Sequence, residues 1–313
     1  MAPRPPARRT LLAALVAASV AVPVSAVARP SAVPAPEPSA LPPLRSVAPA
    51  ALDGRYAAVR DDIRAAGRAA GAHGDHRRAA ALEAMAAPGR HFLSFDGRDG
   101  GRSAEVVGDL SRADRIAVLV PGSDTGPEKY GRLRAGATAL RERLGARSAV
   151  VAWLGYRTPA TASAEVLTPG RANAAAGELR RFVAELRRAA PGARTSVLCH
   201  SYGSVVCGRA AAGLDVADLV LYGSPGTGAR DVAALRTRAV VWAGRATGDW
   251  IAEVPHTRLE LPFTTVGFGT DPVSPAFGAR VFAAGDGGHG DYLRPGSVPL
   301  ESIARIVTGH GRA

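Results

Sequence analysis

The stretch Ser196-Val197-Leu198-Cys199-His200-Ser201-Tyr202-Gly203-Ser204 decides the reading of this chain. Residues 195–199 are a short apolar run suited to a buried strand, and residues 202–212 have helical composition. A single tight turn at Ser201 must join them. The residues match G-x-S-x-G with cysteine in place of the first glycine. A serine on such a turn is lifted clear of the sheet at its C-terminal edge. Small residues are needed two before and two after it, because strand and helix pass close together there. The helix N-terminus adds partial positive charge where an anion would develop. Ser201 is therefore the candidate nucleophile.

Outward from this turn the chain alternates strand and helix. Residues 91–95 and 104–107 flank a Gly-rich turn at 97–101 and read as a hairpin. Residues 116–120, 149–153, 195–199, 219–222, 239–242 and 280–283 are short β-rich runs. Residues 128–144, 170–189, 202–212 and 298–307 are helical. Residues 52–87 read as two helices broken near Gly71–Gly74, with Leu52, Tyr56, Val59, Ile63, Leu82 and Met85 at helical spacing. Short apolar strands alternating with helices predict an α/β fold, a mostly parallel central sheet with helices on both faces and N-terminal helices added.

A serine nucleophile needs a base, and the base needs an acid to orient it. On this kind of sheet they follow the serine in the order acid, then histidine, on loops after later strands. Asp249 lies in Gly244-Arg245-Ala246-Thr247-Gly248-Asp249-Trp250, just past the run 239–242. His289 lies in Gly285-Asp286-Gly287-Gly288-His289-Gly290-Asp291-Tyr292, past the run 280–283. Asp218, Asp271 and Asp286 compete for the acid role. His200, His256 and His310 are weaker bases. His200 adjoins the serine, so its side chain is expected to point away from the face Ser201 uses. His256 follows Asp249 too closely, and His310 lies in the tail. An oxyanion hole would be completed by the backbone N–H of Tyr202 and by one from the turn Pro121-Gly122-Ser123-Asp124, with Ser123 as the expected donor.

With these residues assembled, the chain resembles the α/β-hydrolase superfamily, and within it an uncharacterised actinobacterial branch. The segments that carry the resemblance are Ala152-Trp153-Leu154-Gly155-Tyr156, the turn at 199–204, Leu221-Tyr222-Gly223-Ser224-Pro225-Gly226, Asp271-Pro272-Val273-Ser274-Pro275 with Phe277-Gly278-Ala279-Arg280, and His289 with Asp291-Tyr292. They span about 116–308. The resemblance implies the α/β-hydrolase fold and a Ser201–Asp249–His289 triad, and it brings no substrate. Family turns usually read Gly-His-Ser-Tyr-Gly, so Cys199 is a departure.

The 313 residues are 47% hydrophobic and 21% charged, a globular balance. Lys+Arg of 39 against Asp+Glu of 27 gives a net charge of +12. Lys129 is the only lysine, and the arginines are scattered rather than clustered. Nucleic-acid binding, which needs clustered charge, is therefore not expected. Gly223-Ser224-Pro225-Gly226-Thr227-Gly228 lacks the G-x-G-x-x-G order of a dinucleotide loop. The acids and histidine of 286–291 do not fit a metal cluster. Neither cofactor nor metal is expected. Cys199 ends a strand and Cys207 lies inside the next helix. Their Cα atoms should exceed about 7 Å, so they are expected to be free, buried thiols.

Arg4, Arg8 and Arg9 followed by the apolar run 10–22 and by Val24-Ser25-Ala26 or Ala26-Val27-Ala28 read as a cleavable signal peptide, residues 1–28. Arg8-Arg9 also resembles a twin-arginine signal. Seven prolines in 29–50 read as an extended linker. Residues 51–90 then form the N-terminal helical segment, and 91–313 the main domain. The expected protein is secreted or held at the cell surface, with no stable membrane span after cleavage. Its expected activity is that of a serine hydrolase on a small-molecule or lipid acyl substrate, most readily a carboxylic ester. An acyltransferase, an amidase or peptidase on the same residues, or a non-catalytic surface binding protein with this fold are the alternatives. The oligomeric state is not legible. The short loop between the runs at 222 and 239 leaves no room for a large lid. The stretch 250–279, with Trp250, Phe263, Phe268 and Phe277, is the candidate substrate wall.

Overall fold

Eight strands form a central sheet in the computed structural model, which describes residues 33–254, 259–261 and 264–311. The strands are β1 (His91–Asp96), β2 (Arg102–Gly108), β3 (Arg115–Val120), β4 (Ser148–Leu154), β5 (Arg194–His200), β6 (Asp218–Tyr222), β7 (Val240–Gly244) and β10 (Arg280–Val281). A separate antiparallel pair, β8 (Leu259–Leu261) and β9 (Thr264–Val266), was not expected from the sequence. The helices are α1 (Pro49–Ala72), α2 (His76–Met85), α3 (Gly131–Leu144), α4 (Gly170–Ala189), α5 (Gly203–Ala210) and α6 (Val298–Val307).

The sheet order is β1-β2-β4-β3-β5-β6-β7-β10. β2 runs antiparallel to β1 and β4, and the pairs from β4 through β10 are parallel. Parallel strands covered by helices on both faces bury both sets of side chains, so they read as unbroken apolar runs. All of Ser148–Leu154 is buried, as is all of Asp218–Tyr222. One core lies under α4 and α5 and includes Leu179, Val183, Val205 and Val206. The other lies under α3 and α6 and includes Ala137, Leu140, Leu300 and Ile303.

The chain leaves β3 for β4 on one side and returns through β5 on the other. At such a reversal the connections diverge and open a crevice at the carboxyl ends of the strands. Val120 pairs with Cys199, Cys199 with Leu221, and Tyr222 with Gly244. The loops after β3, β5, β6 and β7 therefore emerge level with one another.

In α1, Leu52, Tyr56, Val59, Ile63, Ala66 and Ala70 are buried at spacings of three and four, the stripe of an amphipathic helix. Val59 and Ile63 join Leu82, Met85 and Phe92 in the core under α3. Residues 33 onward form one compact unit, so α1 and α2 are packed against the sheet rather than set apart from it. The Pro-rich stretch also differs from a free linker. Helix α1 already begins at Pro49, and residues 33–48 lie along the surface without regular structure. Leu44 is only 8% exposed, its N–H bonds to Glu185, and Ser39 bonds through its N–H and hydroxyl to Asp62. Proline keeps this segment extended, but an apolar side chain and the free N–H groups between prolines still find partners. The signal-peptide reading, and residues 29–32 of the linker reading, lie outside the described residues. Among the described residues no helix is long and apolar enough to cross a membrane.

Candidate active site

The turn between β5 and α5 puts Ser201 at φ +52°, a left-handed conformation uncommon for a residue with a side chain. The strain is held by neighbours. The Ser201 N–H bonds to the Tyr222 carbonyl at 3.1 Å, and the Ser204 N–H bonds to the Ser201 carbonyl at 2.8 Å. A methyl group at Gly203 would lie 2.5 Å from the Val120 carbonyl oxygen, so only glycine lets α5 start so close to β3. On the other side, a methyl group at Gly122 would lie 2.6 Å from Ser201 Cβ.

Cys199 and Cys207 are joined in a disulfide, with Cα atoms 6.4 Å apart. The expectation of two free thiols is corrected. Helix α5 begins only two residues after Ser201 and folds back beside β5, so a cysteine in its second turn returns to the end of the strand. Counting along the chain overestimated the separation.

His289 lies on the loop beyond β10, and its Nε2 is 2.9 Å from Ser201 Oγ. Its Nδ1 is 2.8 Å from Asp249 Oδ1 and 3.1 Å from Oδ2. A carboxylate only accepts, so Nδ1 carries the proton. Nε2 of the neutral ring is then free to accept from the Ser201 hydroxyl. Asp249 follows β7 and is 2% exposed. Its Oδ2 accepts from the Tyr292 hydroxyl at 2.5 Å and its Oδ1 from the Ile251 N–H at 2.9 Å. Burial opposes ionisation of Asp249. The hydrogen bonds from His289, Tyr292 and Ile251 outweigh it and hold the carboxyl below its ordinary value.

The competing residues are placed elsewhere. Asp218 begins β6 at the far end of the sheet and bonds to Arg194, Ser196 and the Trp242 indole. Asp271 bonds to Arg245, and Asp286 is exposed. His310 is exposed and bonds to Thr308. His256 lies outside the described residues. His200 does not simply point away from the site. Its Nε2 donates to the His289 carbonyl at 2.8 Å, with ring centroids 4.7 Å apart. Strand alternation does send the side chain to the opposite face, but the His289 loop wraps over that edge and meets it. Burial first, then the adjacent His289, push the His200 imidazole down to about 3.

The loop after β3 is pinned. Tyr156 donates to the Pro121 carbonyl at 2.7 Å, the Asp124 N–H bonds to Pro159 at 3.0 Å, and the Thr125 N–H to Thr158 at 3.1 Å. Tyr202 is held by its hydroxyl, which donates to Thr168 at 2.7 Å. Burial raises that phenol to about 12, so it stays a donor. Neither the Ser123 nor the Tyr202 N–H has an acceptor among the described residues. Tyr292 and Tyr156 were visible in the sequence only as parts of longer segments. No spacing rule assigns a tyrosine to brace an aspartate or a turn, so their roles were missed.

A cleft of about 940 Å³ opens above Ser201 and His289. Trp250, 49% exposed, stands with its ring centroid 4.7 Å from that of His289, and Phe268 packs edge-on to Tyr202. Phe277, expected in the substrate wall, is fully buried in the core instead. Phe263 lies outside the described residues. Among the described residues no group of three or more His, Cys, Asp or Glu side chains could hold a metal ion.

An uncharacterized protein of Mycobacterium tuberculosis strain H37Rv is 32% identical over 256 residues, covering 71% of this chain and 39% of its own length. Another, from Mycobacterium bovis, is 35% identical over 178 residues, covering 50% of this chain and 66% of its own. The chain thus spans well under half the length of the first of these relatives. Among solved structures, a Xanthomonas campestris α/β serine hydrolase without a lid aligns with a TM-score of 0.47 at 19% identity, covering 71% of this chain and 95% of the other. The esterase domain of a Rhodothermus marinus protein aligns at 0.41 and 12% identity, covering 70% and 95%. Residues 96–259, from the end of β1 through β7 and onto the loop that carries Asp249, match the family described as alpha/beta hydrolase. That match covers more than half of the sequence and contains the Ser201 turn, so the chain belongs to the alpha/beta hydrolase family.

Proposed function

We propose that this protein is an exported serine hydrolase that cleaves a carboxylic ester through an acyl-enzyme. The observation that carries the reading is the continuous hydrogen-bond chain Asp249–His289–Ser201 at the base of an open cleft. Ser201 Oγ attacks the ester carbonyl while His289 Nε2 takes its proton. The C–O bond to the alcohol then breaks, and His289 gives the proton to the departing oxygen. Water repeats the sequence and releases the acid and Ser201. Asp249 keeps His289 in the Nδ1–H tautomer and stabilises the imidazolium formed in each transition state. The N–H groups of Tyr202 and Ser123 hold the oxyanion.

The Cys199–Cys207 disulfide supports export, because such bonds persist in oxidising compartments. The deciding experiment treats the purified chain with a fluorophosphonate probe and with p-nitrophenyl esters of graded chain length. The expected result is labelling at Ser201 and ester turnover, both abolished in Ser201→Ala with an unchanged melting temperature. Turnover that survives Ser201→Ala would place the nucleophile elsewhere.

A further inference from the structure

The two walls of the cleft differ in chemistry because they belong to opposite faces of the sheet. Val166, Leu167 and Phe268 line one wall. Val166 and Phe268 pack with the core under α4 and α5. Lys129, Arg132 and Arg294 line the other wall, together with Leu133 and Leu293, which pack against the core under α3 and α6. Ser201 ends the central strand between the two.

The basic wall carries three exposed cations. About half of the described arginines find carboxylates: Arg134, two residues along α3 from Arg132, pairs with Glu105 at 3.3 Å, and Arg171 pairs with Glu165 at 3.2 Å. Lys129, Arg132 and Arg294 have no ion-pair partner among the described residues. The two acids on the same wall are turned to the backbone instead. Asp124 accepts from the Thr161 N–H at 3.2 Å, and Asp291 from the Gly288 N–H at 2.9 Å. Lys129 and Arg132 also stand at the N-terminal end of α3, where the helix dipole disfavours cations, and no acid in its first turn offsets them. The Arg132 guanidinium lies beside the loop that carries His289. It packs on Gly290, next to His289, where a methyl group would lie 3.3 Å from Nη1. All three are solvent-exposed along the cleft, where they present positive charge to an anion that arrives from outside the chain.

We propose that the substrate is an amphiphilic ester with an anionic group on its alcohol side: the acyl chain lies along Val166, Leu167 and Phe268, and the carboxylate, phosphate or sulfate of the alcohol lies against Arg132, Arg294 and Lys129. This rests on Ser201 acting as the esterase nucleophile. Arg132 and Arg294 then determine specificity, and the chemistry stays with Ser201, His289 and Asp249.

The test compares the octanoate esters of 4-nitrophenol, a neutral alcohol, and of 3-hydroxy-4-nitrobenzoate, an anionic one. Intrinsic reactivity cancels when the ratio of their kcat/KM values is compared between proteins. Arg132→Gln with Arg294→Gln is expected to lower the anionic-to-neutral ratio by about five- to tenfold, through KM. Raising ionic strength from about 0.05 to 0.5 M should lower the ratio for the wild type and much less for the double variant. A second readout is independent of turnover. Octyl phosphate or octyl sulfate should slow fluorophosphonate labelling of Ser201 more than octyl glucoside does, and the double variant should lose the difference. The stronger of the two protectors identifies the anion. An unchanged ratio, or equal protection by the glucoside, would overturn the anionic substrate while leaving the esterase intact. A wild type that neither cleaves the esters nor labels at Ser201 would overturn the esterase reading itself, and this inference with it.

Discussion

The Tyr292 hydroxyl donates to Asp249 Oδ2 at 2.5 Å and accepts the Ala246 N–H at 3.1 Å, so one buried phenol ties the acid to the loop that presents it. Asp249 consequently faces His289 with both oxygens already committed, and it cannot rotate without breaking two further bonds. Tyr292→Phe leaves a buried carboxylate oxygen and a buried N–H each short of one partner. The expected cost is about 1–2 kcal/mol of stability. The expected fall in kcat is roughly fivefold, with KM little changed. Urea unfolding and steady-state kinetics on one ester check both.

His289→Ala and Asp249→Asn are each expected to lower kcat on the order of 10³–10⁴-fold, and the double variant little further. A histidine without its aspartate takes the wrong tautomer, and an aspartate without its histidine has nothing to orient. Strictly multiplicative losses in the double variant would show that the two act separately.

Gly122→Ala is expected to inactivate without replacing any of the side chains proposed to react. The added methyl would lie 2.6 Å from Ser201 Cβ and 3.1 Å from its Oγ. The turn must move, and a displacement of about 1 Å at a reacting atom costs on the order of 10²-fold in rate. Loss of kcat with a small change in melting temperature is the expected pattern. A variant with wild-type kcat would show that the two loops are free to part.

His200 makes stability depend on pH. Its folded value of about 3 lies below its ordinary 6.5, so between those values the unfolded chain binds a proton that the folded chain refuses. Stability therefore rises with pH across that window and is lost as pH falls through it. Asp249, also held below its ordinary 3.8, acts in the same direction but only at lower pH. His200→Gln keeps an amide to donate to the His289 carbonyl and removes the titration. Its unfolding free energy should change less than that of the wild type between about pH 6.5 and 4.5. Equal slopes would place the acid sensitivity on other groups.

Breaking the disulfide with Cys199→Ala and Cys207→Ala is expected to cost about 2–3 kcal/mol, since even a short closed loop restricts the unfolded chain. Because both cysteines are fully buried, dithiothreitol should reduce the folded protein only as fast as it opens. Reduction much faster than unfolding would show that α5 separates locally from β5.

The parts of the site that were legible share one property. Each is announced by local backbone chemistry: small residues around Ser201, glycines around His289, a strand end before Asp249. The α/β fold was readable for the same reason. Buried parallel strands are short apolar runs, and α4 and α6 carry an apolar stripe at helical spacing. The helical bounds 170–189 and 298–307 expected from the sequence are those of α4 and α6. Where the reading failed, the missing fact was a distance between segments. Leu44 was read as linker because proline rules describe the backbone and not the groove beside it. Phe277 was read as a wall because an aromatic in a loop looks alike whether it faces a cleft or the core.

By itself, then, the amino-acid order marked the candidate residues Ser201, Asp249 and His289 and the sequence in which they follow one another along the sheet edge, since strand periodicity and turn chemistry are local. Tertiary structure alone decided the rest. It folds α5 back on β5, which closes the Cys199–Cys207 bond. It brings the Tyr292 hydroxyl to Asp249 from 43 residues away. It sets an apolar wall from one face of the sheet against a basic wall from the other. Those contacts depend on helix packing and loop paths that span many residues, and no local pattern encodes a distance of that kind.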